Sequence, residues 1–310
     1  MTDLNRREAL QRIGTAVVGM TMGAAGGAGA QSSGEREPIL TRSIPSSGEK
    51  LPVIGLGTWQ TFDVGGGAAE RRPLEEVLRE FVALGGTVVD SSPMYGRSEE
   101  VVGDIAAALG VHDRLFVATK VWMTGKGAGV DQMRDSMRKL RARTVDLMQV
   151  HNLVDVERHL ETLAEWKRAG HVRYVGVTHY TAGAHDDVAR VVRAHPLDFI
   201  QVNYSVGERE AERRLLPLAR ERGVAVIANR PFAEGGLLRR LGGRALPPWA
   251  AEIGCESWAQ LLLKFIVAHP AITCAVPATS KVAHLRDNMR AGVGALPDER
   301  LRERIAAAAR

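Results

Sequence analysis

Short apolar runs alternate with longer amphipathic stretches along most of this chain, in the repeating order that parallel βα units produce. Eight runs read as strands: Val53–Gly57, Thr87–Asp90, Leu115–Val121, Val145–Val150, Tyr174–Thr178, Phe199–Asn203, Ala225–Ala228 and Thr273–Val276. Helical spacing of apolar residues marks Pro73–Leu84, Ser98–Leu109, Asp131–Leu140, Glu157–Arg168, Ala184–Ala194, Glu210–Arg222, Ser257–Ala268 and Val282–Ala291. Pro73, Ser98 and Asp131 suit helix starts, and Gly85, Gly110, Gly170 and Gly223 suit helix ends. The repeats predict a single α/β domain, a (β/α)8 TIM barrel, with an extra C-terminal helix over Pro297–Ala309. Ahead of the first unit, Ile39–Ile44 and Lys50–Val53 flank Ser46-Ser47-Gly48 and predict an N-terminal hairpin that closes the barrel bottom.

The first thirty residues differ in kind. The pair Arg6-Arg7 precedes a small-residue apolar stretch from Ile13 to Gly29, which exits through Ala28-Gly29-Ala30 before Gln31. Residues 1–30 therefore read as a twin-arginine export signal, with the export machinery as partner and the periplasm as destination. A fraying helix, or a short anchor left by failed cleavage, is the competing reading. The stretch is too short and glycine-rich for a stable transmembrane span. Residues 31–50 read as a poorly ordered polar tether that runs into the hairpin, leaving 51–310 for the barrel.

Composition narrows the function. The chain has 310 residues, 45% hydrophobic and 25% charged, which suits one large globular barrel. Its net charge is +5 and its pI about 9.5, yet the arginines come as separate pairs such as Arg71-Arg72 and Arg239-Arg240. With only 5% aromatic residues as well, nucleic acid is not the expected partner. Cys255 and Cys274 lack metal-ligand spacing and read as two buried thiols, although export leaves a disulfide open. No metal site is expected: His and Asp do not cluster at several strand ends, as a metal-dependent barrel hydrolase would need. No Gly-x-Gly-x-x-Gly follows a strand, so a Rossmann domain is not supported.

The candidate chemistry is Asp90, Tyr95, Lys120 and His151, each at or just past a strand end. Singly, each has an ordinary explanation: a turn cap, a loop aromatic, a solvated lysine, a carbonyl-bonded histidine. Together they fall on the second, third and fourth strands at one rim, where a parallel barrel keeps its active site. A phenol is a poor acid alone, with a pKa near ~10. A neighbouring ammonium lowers that value, and a carboxylate holds the ammonium in place. His151 can orient the substrate oxygen or share the proton.

Gly55-Leu56-Gly57-Thr58-Trp59, Asp90-Ser91-Ser92-Pro93-Met94-Tyr95-Gly96, Thr119-Lys120-Val121-Trp122 and Val150-His151 are followed by Gly176-Val177-Thr178-His179-Tyr180, Gln201-Val202-Asn203-Tyr204-Ser205 and Val276-Pro277-Ala278-Thr279-Ser280-Lys281. In that order, roughly from Leu51 to Met289, the chain resembles the aldo-keto reductases. The resemblance implies hydride transfer between NADP(H) and a small-molecule carbonyl or alcohol, NAD(H) remaining open, in a monomer. Tyr95 is then the general acid or base. Some members of the fold are non-catalytic, redox-sensing regulatory subunits, and that alternative stays open.

The same resemblance implies the remaining site. Gly57, Thr58, Thr178, His179 and Gln201 would meet the nicotinamide end, His179 replacing the usual Asn. Asn229, before Arg230 and Pro231, stands where the family usually stacks an aromatic ring. Thr279, Ser280 and Lys281 would cradle a 2'-phosphate at a helix start, with His284 where Arg is frequent and Asn288 two turns on. Trp59, Met94, Trp122 and Asn152 would wall the substrate pocket, Asn152 replacing a Trp. The other three tryptophans, Trp166, Trp249 and Trp258, read as packing.

Overall fold

The structure, a computed structural model, describes residues 37–310. The export signal expected over residues 1–30 lies outside the described residues, as do 31–36.

Eight parallel strands form one sheet: β3 (Leu56–Gly57), β4 (Val88–Asp90), β5 (Phe116–Val121), β6 (Val145–His151), β7 (Val172–His179), β8 (Phe199–Asn203), β9 (Ala225–Asn229) and β10 (Cys274–Ala275). Neighbours in sequence are neighbours in the sheet. The seam closes between the first and last of them, where Ile54 bridges Ala275 and Gly57 bridges Ala278 in parallel. Gly55 N–H donates to the Ala275 carbonyl at 2.8 Å, and Ala275 N–H to that of Val53 at 2.9 Å. A Cβ on Gly57 would lie 2.8 Å from the Val276 carbonyl oxygen, so the seam needs glycine there.

Period-two alternation sorts the side chains into two cores. On β5, Phe116 and Ala118 point inward to fill the barrel, while Val117 and Val121 point outward to the helices. The surrounding layer contains α1 (Ala68–Ala83), α2 (Ser98–Leu109), α3 (Lys126–Lys139), α4 (Val156–Arg168), α5 (His185–Ala194), α6 (Leu215–Glu221), α7 (Gly236–Leu241), α8 (Trp258–Val267) and α9 (Val282–Arg290). The expected extra helix is α10 (Glu299–Ala308), whose N-cap Asp298 accepts from Leu301 N–H. Among the described residues no helix is long and apolar enough to cross a membrane.

The bottom hairpin is present, pairing β1 (Thr41–Ser43) antiparallel to β2 (Lys50–Pro52). Ile44 and Leu51 plug the inner core. The Tyr174 hydroxyl donates to Glu49 at 2.6 Å, and the Arg42 guanidinium to the carbonyls of Val267, His269 and Ile272. The first arm of the hairpin, expected over Ile39–Ile44, forms its strand at Thr41–Ser43, within the stretch expected to hold both tether and hairpin start.

Several boundaries differ from the sequence expectation. Helix α1 starts at Ala68 because Gly65-Gly66-Gly67 ends the preceding loop, and Pro73 lies inside the helix rather than at its start. Helix α3 starts at Lys126, not Asp131, directly after Gly125 at φ 92. The stretch from Glu210 splits into a 3-10 turn and α6. Helix α7 and a 3-10 segment over Pro248–Ile253 form an excursion that the periodicity does not reveal. Cys255 and Cys274 are free, buried thiols in separate cores, which answers the disulfide question left by the sequence.

Candidate active site

Four inward-facing strand ends build the centre. Lys120, on β5, is wholly buried; its ammonium donates to both Asp90 carboxylate oxygens, at 2.8 and 2.9 Å, and to the Ser91 carbonyl at 2.7 Å. Gln201, on β8, adds a third side-chain contact to Asp90, its amide donating at 2.8 Å. A buried carboxylate is tolerable when it is paired and hydrogen-bonded in this way. Tyr95 reaches the centre through a turn closed by its own N–H on the Ser92 carbonyl at 3.0 Å, and Lys120 Nζ lies 5.1 Å from its ring centroid. His151, ending β6, meets the Tyr95 ring edge-on with centroids 6.1 Å apart.

The electrostatics assign protonation states. Burial opposes the Lys120 charge, but Asp90 and Tyr95 outweigh it and hold the amine above its ordinary pKa. Burial pushes the Tyr95 phenol above its usual range, and Lys120 pulls in the opposite direction. The lowering influence expected of Lys120 is present, but the net shift of the phenol is upward. Desolvation exceeds that influence. Burial, then Lys120 and His179, bring His151 down to about 3, so its ring is neutral at physiological pH. The centre offers a protonated phenol and a neutral imidazole to one cavity.

That cavity, of about 970 Å³, runs from the tetrad to α9. Trp59, Met94, Trp122 and Asn152 are among its lining residues. Asn152 has φ 52, its N–H bonds the Thr178 carbonyl at 2.8 Å, and its side-chain oxygen has no partner. Gly57, Thr58, Thr178, Gln201, Asn229, Arg230, Pro231, Thr279, His284 and Asn288 also line it. Asn229 Oδ1 and Arg230 Nε are buried without partners, which leaves an acceptor and a charged donor ready for a polar ligand.

Four residues expected as cofactor contacts are placed otherwise. His179 is not on the cavity wall: its Nδ1 accepts from Thr181 N–H at 3.3 Å and its ring stacks on Tyr180 at 5.6 Å. It ends β7 facing away from the barrel axis, opposite in parity to Thr178. Ser280 and Lys281 are exposed at the start of α9, outside the walls, and Thr279 Oγ1 accepts from Lys281 N–H at 3.1 Å. Thr58 is fully buried, its hydroxyl donating to the Asp90 carbonyl at 3.0 Å, so its side chain serves the turn. Sequence reasoning missed Ser92, which touches His151, and Trp258, a wall residue rather than packing. It also missed Tyr180, Phe232, Leu238 and Asp287 along the wall.

A profile of the aldo/keto reductase family matches residues 53–308. The chain belongs to that family. The methylglyoxal reductase YeaE of Escherichia coli is 29% identical over 255 residues, covering 80% of this chain and 88% of its own length. An aldo/keto reductase of Klebsiella pneumoniae, solved in complex with NADP and acetate, superposes with TM-score 0.72 at 26% identity, covering 84% of this chain and 92% of that one. Another from the same organism, solved with NADPH, gives TM-score 0.73 at 24% identity, covering 88% and 95%.

Proposed function

We propose that this aldo/keto reductase interconverts a small carbonyl compound and its alcohol with NADP(H), Tyr95 giving or taking the proton. One observation carries the reading: a buried Asp90–Lys120 pair beneath a protonated Tyr95, with neutral His151 beside it at the floor of one cavity. The likeness to a methylglyoxal reductase and to an NADP-bound reductase points the same way.

Bound nicotinamide supplies the hydride; the protein orients it and manages the proton. Thr178 and Gln201 would hold the carboxamide side, and Asn229 and Arg230 would add their unpartnered groups. Thr279, His284 and Asn288 would receive the adenosine end, and Ser280 and Lys281 at the helix start would add hydroxyl and charge. Tyr95 protonates the carbonyl oxygen in reduction. Lys120 favours the resulting phenolate, Asp90 fixes Lys120, and His151 directs the oxygen.

General acid catalysis of this kind is worth ~10²–10⁴-fold. Tyr95→Phe should remove turnover of an aldehyde with NADPH while nucleotide affinity stays nearly constant. Turnover above roughly a tenth of wild type contradicts the assignment. The non-catalytic sensor reading draws on Asn229 and His284 alone, and NADPH consumption on mixing with a generic aldehyde separates the two.

We also infer export in the folded state, supported by Arg6-Arg7 and the small-residue exit before Gln31. Arg6→Lys with Arg7→Lys should hold a longer form in the cytoplasm. An unchanged N-terminus at Gln31, in periplasm, overturns that inference.

A further inference from the structure

Ser92 is wholly buried in the turn that carries Tyr95, and its two polar groups serve both sides of the site. Its carbonyl accepts the Tyr95 N–H at 3.0 Å. Its Oγ accepts the Met94 N–H at 3.2 Å and lies 3.3 Å from His151 Nδ1. The turn is itself fixed from below, because Lys120 donates to the carbonyl of Ser91.

The proton inventory then decides the direction of the Ser92–His151 bond. A serine hydroxyl has one proton to donate, and a neutral imidazole has one nitrogen that accepts. Among the described residues, Nδ1 of His151 is the one acceptor facing the Ser92 hydroxyl. If Nδ1 carried the ring proton, it would donate to Oγ, and the hydroxyl proton would be left buried without an acceptor. The reverse arrangement satisfies every group. Burial keeps the ring neutral far below physiological pH, so the choice is between tautomers rather than charge states.

We propose that Ser92 is a positioning residue that fixes the tautomer of His151, so that Nε2 carries the proton and donates to the substrate's carbonyl oxygen. The proposal rests on the carbonyl-reduction reading above and deepens it. His151 Nε2 takes no hydrogen bond among the described residues, and the ring lines the cavity. Tyr95 and His151 then present two donors to one oxygen, set at a fixed mutual angle by one serine. The opposite tautomer would put a lone pair there, which repels a carbonyl oxygen. A Ser92 that only packed the turn would leave the tautomer indifferent.

Long-range proton–nitrogen NMR correlation on nitrogen-15-labelled enzyme reads the tautomer directly, the His151 signals being identified by their loss in His151→Gln. The wild type should show the proton on Nε2. Ser92→Ala should populate the Nδ1 form and lower kcat/KM for a generic aldehyde about five- to tenfold, the size of one neutral hydrogen bond. The dissociation constant for NADPH should not move. A wild-type proton on Nδ1 overturns the proposal without any variant. So does a Ser92→Ala enzyme with either an unchanged tautomer or an unchanged kcat/KM. Should Ser92→Ala fail to fold, Ser92→Cys carries the comparison, since a thiol fills the space and donates weakly. A wild type that binds nicotinamide nucleotide but reduces no aldehyde defeats the carbonyl-reduction reading, while the tautomer remains measurable.

Discussion

Replacing Lys120 by Met tests the coupling between the buried ion pair and the phenol. Lys120 Nζ lies 5.1 Å from the Tyr95 ring centroid. At an effective dielectric constant of ~20, a unit charge at ~5 Å is worth ~3 kcal/mol, or about two pH units of phenol titration. Two influences that raise Tyr95, burial and Asp90, then act unopposed. The sign follows: alcohol oxidation needs the phenolate, so its rate climbs with pH until Tyr95 is deprotonated. In Lys120→Met that climb should move about two pH units upward, with a loss of roughly a hundredfold at neutral pH. Lys120→Arg, which keeps the charge, should shift it far less. The pH dependence of kcat for oxidation is the assay, and a rising limb left in place refutes the electrostatic argument. The variant also strands the Asp90 carboxylate with Gln201 as its remaining side-chain donor, at ~3–5 kcal/mol of folding stability. Asp90→Asn combined with Lys120→Met should recover part of that stability in urea denaturation without restoring the limb.

Two further outcomes follow from charges outside the tetrad. Lys281 is exposed at the start of α9, one turn before His284, so NADP should bind about tenfold more tightly than NAD, ~1.4 kcal/mol. Lys281→Ala should erase most of that preference in fluorescence-quenching titrations, and equal wild-type affinities would remove Lys281 from phosphate recognition. Lys264 is buried on α8 and donates to the carbonyls of Ile253, Val293 and Ala295 at 2.7–2.8 Å. Lys264→Met should cost roughly 3 kcal/mol in urea denaturation, since three buried carbonyls lose their donor, with turnover per folded molecule unchanged.

The barrel and its tetrad are legible in the sequence because both depend on local pattern. Parity along a strand says that Lys120 shares a face with Ala118, and the parallel order puts Asp90, Lys120 and His151 at one rim. The same parity rule marks His179 as outward, once the strand is known to run inward at Thr178; reading its position by resemblance alone put it in the pocket. Trp258 and the α7 excursion leave no such trace. Gly235-Gly236 and Gly242-Gly243 interrupt any period, and only the folded chain shows that this segment crosses the cavity. The place of Gln201 at a strand end is legible, but its bond to Asp90 spans 111 residues and has no signature in the linear order. The net acidity of Tyr95 is not legible in the sequence, because neighbouring charges can be read from it whereas the depth of burial cannot.

The seam between β3 and β10 has a consequence for synthesis. Ile54 and Ala275 are bridged, and Arg42 binds the carbonyls of Val267, His269 and Ile272, so the outer edge of the first strand and the Arg42 clasp find their partners only in the last part of the chain. A nascent chain that has emerged through β9 carries two unsatisfied strand edges, and an open parallel edge invites pairing with other chains. Bringing such distant segments together is also the slow part of folding. Premature termination anywhere before Ala275 thus yields an open, aggregation-prone sheet rather than a smaller stable domain. The closing of this one seam divides an unfinished chain from a finished one.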